Sequence, residues 1–151
     1  MRLYRLGSRA YPLWDGGGSA IFGGRWNPVG IAVIYAAGSL ALAMLERLAQ
    51  RRNFADTLLV EAVVPDDIAV EDMFASPPEN WQAPDRTDAA EAGEVWVNSM
   101  RTALLRVPSA LVPREPNYLV NPAHPDAARI LVGVPEPLEW DARLFGIPPP
   151  A

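Results

Sequence analysis

The sequence holds no cysteine, no lysine and a single histidine, His124. Without thiols there is no disulfide, no thiolate nucleophile and no cysteine-ligated zinc or iron–sulfur cluster, and a lone imidazole excludes the common multi-histidine metal sites. Without lysine, Schiff-base catalysis and any Walker-type phosphate loop are excluded as well. All 13 basic residues are arginine, so an anion must be met by a guanidinium. No apolar run approaches the ~20 residues a membrane helix needs, and Met1 to Leu6 lacks a signal peptide's apolar stretch. The expected setting is therefore reducing and cytoplasmic, with no membrane. Positive charge is scarce too: 18 acidic residues give a formal net charge of -5, which opposes sequence-independent binding to a phosphate backbone. Charged residues make up 21% of the chain against 50% hydrophobic, so the signature of disorder is missing. One domain is expected over residues 1–151.

What the chain does have is punctuated by glycine and proline. Gly7 to Gly30 is rich in glycine and aromatic residues with no helical period, and reads as a structured loop. Ile31 to Tyr35 is a strand-like apolar run, and Gly38-Ser39 then supplies an N-cap for a helix from about Leu40 to Arg52. A second strand-like run, Leu58 to Val64, ends at Pro65-Asp66-Asp67. Asp72 to Asp88 reads as a long surface loop, after which Thr87 or Asp88 caps a short helix near Ala89 to Asn98. From Thr102 onward short β-like pieces alternate with prolines: Ala103 to Val107, Leu111-Val112, Tyr118 to Val120 and Ile130 to Val134. Many short strands with few helices between them predict an α+β fold, a mixed and partly antiparallel sheet with a few flanking helices. Pro148-Pro149-Pro150-Ala151 reads as an extended tail.

Several side chains fall where chemistry is possible. On the Leu40–Arg52 helix, apolar residues cover a broad arc that predicts deep packing, with Arg47 and Arg51 on the polar side. Glu46 lies only about 40° from Leu42 at the margin of that arc. A half-buried carboxylate there must either pair with an arginine or line a cleft. Arg25, within Gly23-Gly24-Arg25-Trp26-Asn27-Pro28, is held in a stiff glycine-rich loop suited either to bidentate capture of a phosphate or carboxylate or to tying the loop down. Tyr35 at a strand end can stack on a planar ligand or pack in the core. Ser109 breaks two apolar runs and can present its hydroxyl to the same cleft, but no Gly-x-Ser-x-Gly elbow or nearby His activates it as a nucleophile. His124 reads as a loop residue bonding to backbone, and Asn117 and Asn121 as turn residues flanking a strand.

In order along the chain, Gly23-Gly24-Arg25-Trp26-Asn27-Pro28-x-Gly30 and Ile34-Tyr35, Leu42-Ala43-x-Leu45-Glu46, Val107-Pro108-Ser109-Ala110-Leu111-Val112-Pro113, and Asn117 to Pro125 resemble the RES domain. This family is named for an Arg, a Glu and a Ser and is known as the toxin half of bacterial toxin–antitoxin pairs. The resemblance runs from Tyr4 to about Val134 and is loose between Asp66 and Glu94. It implies a fold like that of ADP-ribosyltransferases and NAD as a substrate that is consumed, with no cofactor and no metal. The family's Arg, Tyr, Glu and Ser fall on Arg25, Tyr35, Glu46 and Ser109. Arg25, Glu46 and Ser109 are thereby implied as catalytic, and Arg25, Tyr35 and Ser109 as NAD-binding. The implied reaction is cleavage of the nicotinamide–ribose bond, with depletion of NAD by hydrolysis or phosphorolysis. Mono-ADP-ribosylation of a protein and a non-catalytic binding module are the alternatives. The implied partners are a helix-turn-helix antitoxin and NAD, with DNA reached only through the antitoxin; a homo-oligomer stays open.

Overall fold

The computed structural model describes residues 1–50 and 54–146. Its strands are β1 (Arg2–Ser8), β2 (Ile34–Ala37), β3 (Thr57–Val63), β4 (Val70–Asp72), β5 (Leu104–Pro108), β6 (Pro116–Val120), β7 (Leu131–Val132) and β8 (Glu136–Pro137), and its helices α1 (Gly17–Phe22), α2 (Leu40–Ala49) and α3 (Thr87–Ser99). All eight strands join one sheet in the order β4-β5-β6-β2-β1-β3-β7, with β8 also pairing β3. Only β4 and β5 run parallel; every other pairing is antiparallel. The architecture is α+β with a mixed sheet, as the proline-separated runs predict.

Alternation along the strands gives the sheet two faces. One carries the cluster of Leu3, Ile34, Ala36, Ala62, Leu104 and Val120, closed by Trp14, Ile68 and Ile130. The other carries two clusters. Val33, Leu105, Val107 and Leu119 pack under Ala89 and Trp96 of α3 together with Trp26 and Trp81. Ala37 packs with Leu42 and Ala43 of α2, flanked by Tyr4, Leu6 and Val112. Between these two clusters the sheet parts. β1 pairs with β3 over its full length but meets β2 at the single pair Tyr4↔Ala37, and the site described below lies along that seam.

The ends and faces of several elements depart from the sequence reading. The strand expected at Ile31–Tyr35 is Ile34–Ala37, because Asn27 holds the Ile31 carbonyl and Ser19 the Val33 backbone inside the loop. The Gly7–Gly30 stretch is not wholly loop: its first two residues close β1 and it includes the short helix α1, whose side chains are all partly or fully exposed and so leave no apolar period. Ser39 caps α2 as expected, accepting from Leu42 N–H, and the helix is described as far as Ala49; Arg51 and Arg52 lie outside the described residues. Its packing is narrower than the apolar arc predicts. Ala41, Leu45 and Ala49 are exposed, while Arg47, expected on the polar side, is buried with its Nη1 3.3 Å from Gln50 Oε1. Neither Thr87 nor Asp88 caps α3, since both are in its first turn and the cap is Arg86 at φ 60°. Leu111-Val112 forms the turn between β5 and β6 rather than a strand, its amides taken by Ser109, and the run at Ile130–Val134 contributes only Leu131–Val132 to the sheet edge. The Pro-rich tail lies outside the described residues.

Candidate active site

The loop between α1 and β2 is braced by one buried amide. Asn27 is almost wholly buried, and its Nδ2 donates to the carbonyls of Ser19 (2.9 Å), Pro28 (3.1 Å) and Ile31 (2.8 Å). Its Oδ1 accepts from the Tyr35 hydroxyl at 2.6 Å, and that hydroxyl in turn accepts from Trp26 N–H at 3.0 Å. Gly24 is obligatory here, because a Cβ would overlap the Tyr35 hydroxyl and crowd Asn27 Oδ1. Burial pushes the Tyr35 phenol far above its ordinary pKa, with Arg86, Arg25 and Arg5 opposing the shift. Tyr35 therefore stays a neutral hydrogen-bonding group that ties the loop to the end of the sheet.

Arg25 projects from this loop toward the segment that precedes α3. Its Nη1 donates to the carbonyls of Trp81 (2.9 Å) and Ala83 (3.4 Å), and Trp81 stacks on Trp26 with ring centroids 6.0 Å apart. α3 comes in close because residue 93 is glycine: a Cβ there would overlap the Trp26 carbonyl oxygen. Burial and the neighbouring charge of Arg86 pull the Arg25 pKa down, while Glu46 and Tyr35 pull it up. Arg25 thus lies within electrostatic reach of Glu46.

Glu46 comes from α2 and is only partly exposed. Ser109 Oγ, at the end of β5, donates to its Oε1 at 2.8 Å, and Asn117 Nδ2, in β6, donates to the same oxygen at 2.8 Å. Neither bond falls on Oε2. Ser109 is wholly buried, and besides donating to Glu46 its oxygen accepts from the amides of Leu111 and Val112 at 3.1 Å each. Asn117 is placed by strand register, opposite Ala37 in β2 and Val107 in β5. A carboxylate that accepts two side-chain donors on one oxygen is held in a single orientation with the other oxygen free to act.

A cavity of about 160 Å³ opens beside Glu46, lined among others by Arg5, Tyr35, Arg47, Gln50 and Asn117. It enters the sheet where β1 and β2 part. There Arg5 Nη1 donates to the Tyr35 carbonyl at 2.7 Å, occupying an acceptor that a closed sheet would give to a strand amide. Burial lowers the Arg5 pKa, opposed by Asp15 and Tyr35.

Of the residues singled out in the sequence, Glu46 and Ser109 are in direct contact, Tyr35 lines the cavity beside Glu46, and Arg25, bonded to Trp81 and Ala83, reaches Glu46 only electrostatically. His124 is elsewhere: its Nδ1 accepts from Asp126 N–H at the start of the 3₁₀ turn Pro125–Arg129, as a loop residue bonding to backbone should. Asn121 ties Val97 O to the end of β6 at 3.1 Å. Asn117 departs from the turn role read for it and belongs to the site. Arg5, Asn27, Gly93 and Arg86 escaped the sequence reading. Among these only Asn27 had a local signal, lying within the glycine-rich motif; the others acquire their roles from contacts made far along the chain.

Residues 2–141 match the family described as the RES domain. The chain belongs to the RES domain family. It is 47% identical over 132 residues to the "Prs ADP-ribosylating toxin" of Sphingobium sp. (strain YBL2), covering 82% of each chain. It is 38% identical to "Toxin Res" of Yersinia enterocolitica over 95% of this chain and 99% of that one. In three dimensions it superposes on a chain of the M. tuberculosis MbcT–MbcA toxin–antitoxin complex with a TM-score of 0.73 and 22% identity, over 91% of this chain and 83% of the other. That likeness is one of fold, and it spans the α+β sheet described above. The protein is an enzyme of the RES family.

Proposed function

We propose that this protein is the toxin of a toxin–antitoxin pair and that it breaks the nicotinamide–ribose bond of NAD. The observation that carries the reading is the Glu46 carboxylate, fixed through Oε1 by Ser109 and Asn117, beside a cavity and within electrostatic reach of the Arg25 guanidinium. Breaking an N-glycosidic bond develops positive charge on the ribose, as in glycoside hydrolysis, and an oriented carboxylate stabilises that charge without having to reorganise. Glu46 Oε2 is the oxygen that faces the ribose. Arg25 takes the phosphate side of the dinucleotide, with its loop fixed by Asn27 and Tyr35. The Tyr35 ring borders the nicotinamide end, and its hydroxyl is already committed to Trp26 and Asn27. Ser109 acts through Glu46 rather than on the substrate, since its one proton is given to Oε1. NAD is consumed, and neither a cofactor nor a metal enters the scheme.

Water or phosphate as the acceptor gives NAD depletion, the reading we favour. Transfer to a protein side chain is the second reading, supported by the 47% identity to a relative that is named an ADP-ribosylating toxin. A cytoplasmic enzyme of either kind calls for a cognate antitoxin. We infer a helix-turn-helix partner that also supplies any contact with DNA, because this acidic chain has little to offer a phosphate backbone. The test is nicotinamide release from NAD by the purified protein, repeated with added phosphate and with lysate proteins to identify the acceptor. Absence of nicotinamide release under all three conditions refutes the proposal.

A further inference from the structure

Arg86 has an unusual placement for a charged side chain. It is not glycine, yet it adopts φ 60° and ψ 12° as the residue that opens α3, a conformation that costs an L-residue roughly 1 kcal/mol and that glycine adopts without penalty. Its amide donates to the Ala83 carbonyl at 3.1 Å, the same oxygen that accepts from Arg25 Nη1 at 3.4 Å. One carbonyl therefore brings the backbone of Arg86 within a few ångströms of the Arg25 guanidinium. Arg86 is exposed, and its guanidinium makes no hydrogen bond or ion pair among the described residues. The acids nearest it in sequence are engaged elsewhere: Asp85 Oδ1 accepts from Thr87 N–H and Asp88 Oδ2 from Asn80 Nδ2. Its charge is felt at both Arg25 and Tyr35. The Arg25 guanidinium and the Arg86 backbone thus meet at one carbonyl, the two charges act on each other, and neither is in a salt bridge among the described residues, an arrangement that is repulsive until an anion comes between them.

We propose that Arg25 and Arg86 form a two-pronged clamp for the pyrophosphate of the dinucleotide, one prong from the glycine-rich loop and the other from the start of α3. This rests on the NAD reading above and adds to it the residue and the loop that hold the diphosphate. A pyrophosphate offers two adjacent charged groups, which matches two guanidiniums that approach from different segments. Trp81 to Arg86, stapled to Arg25 by two carbonyls, is then the part of the loosely matching middle segment that borders the substrate.

Arg86→Gly is the informative variant, because the left-handed backbone suits glycine and the fold is retained or made firmer while the guanidinium is lost. Direct titration of the full-length protein with inorganic pyrophosphate and with ADP-ribose should show affinity about tenfold or more weaker in Arg86→Gly than in wild type, the loss expected for one charge-assisted contact. KM for NAD should rise by a similar factor, and cleavage of nicotinamide riboside, which has no phosphate, should be unchanged. Arg86→Lys should recover only part of the affinity. Equal pyrophosphate and ADP-ribose affinities in wild type and Arg86→Gly, or an equal loss on nicotinamide riboside, overturn the clamp. Weakened antitoxin binding with unchanged pyrophosphate binding overturns it in favour of an acidic protein segment as the ligand. Binding of both probes without nicotinamide release would sink the NAD-cleavage reading and leave the clamp standing. Nicotinamide release with the same KM in both proteins would do the reverse.

Discussion

Replacing Ser109 with alanine removes three hydrogen bonds at once, and the structure allows their cost to be worked out. The bond to Glu46 Oε1 at 2.8 Å has a charged acceptor, for which about 1.5–3 kcal/mol is typical. The amides of Leu111 and Val112 lose their acceptor at 3.1 Å. Leu111 is 43% exposed, so water replaces that bond at small cost, whereas Val112 is less accessible and incurs part of the ~1–3 kcal/mol of an unsatisfied donor. A total of about 2–4 kcal/mol follows, read as a lower urea midpoint at unchanged m and, for a chain of this size, a fall in Tm of roughly 5–15 °C. On the proposed mechanism, turnover falls too, because Asn117 alone does not fix Oε1 and a carboxylate displaced by ~1 Å can lose up to about 10² in rate. Under conditions where the variant is folded, kcat should drop with KM for NAD within about threefold. Wild-type stability together with wild-type kcat would refute the positioning role. A rise confined to KM would show instead that Ser109 touches the substrate.

Three further outcomes follow from the same geometry. Glu46→Gln keeps an oxygen for Ser109 and Asn117 to bond but loses the charge, so nicotinamide release should fall by about 10²–10³ with the unfolding midpoint little changed; full activity would make the carboxylate structural. Arg25→Lys retains the charge but not the planar fork, and should weaken ADP-ribose binding about tenfold, whereas unchanged affinity would mark Arg25 as a loop anchor to Trp81 and Ala83. Gly93→Ala forces a methyl into the Trp26 carbonyl and should destabilise the fold by at least ~2 kcal/mol in urea titration, since backbone has to move to accept it; a neutral effect would mean that α3 is free to shift away from the loop.

Legibility in the sequence tracked the distance over which each interaction acts. The Ser39 cap, the α2 start at Leu40 and the strand runs at Leu58, Ala103 and Tyr118 are short-range facts, carried by residues within one turn or one strand. β1 went unread because Arg2, Tyr4 and Arg5 dilute its apolar pattern: it pairs with β3 along its length while its Arg5 fills the seam instead of the core. The turn at Leu111-Val112 looks like strand by composition, and only the Ser109 oxygen, which collects both amides, makes it a turn. Arg47 shows the opposite failure, a charge assigned to solvent by helical angle and buried by the sheet beneath it.

The site divides in the same way. Arg25, Tyr35, Glu46 and Ser109 could be singled out because each lies in a short motif of distinctive composition, but the reason Glu46 has a fixed orientation could not, since Ser109 is 63 positions away in sequence and Asn117 is 71. Both donors reach Glu46 only because β5 and β6 pair in the register that sets Val107 opposite Asn117, while β6 in turn sets Asn117 opposite Ala37, just before α2 begins. A slip of one residue in either pairing would turn Asn117 to the other face of the sheet and leave Glu46 with Ser109 alone. The orientation of Glu46 is thus a property of sheet register more than of any local motif. Substitutions that disturb the β5–β6 or β2–β6 ladders should therefore reduce turnover before they unfold the protein.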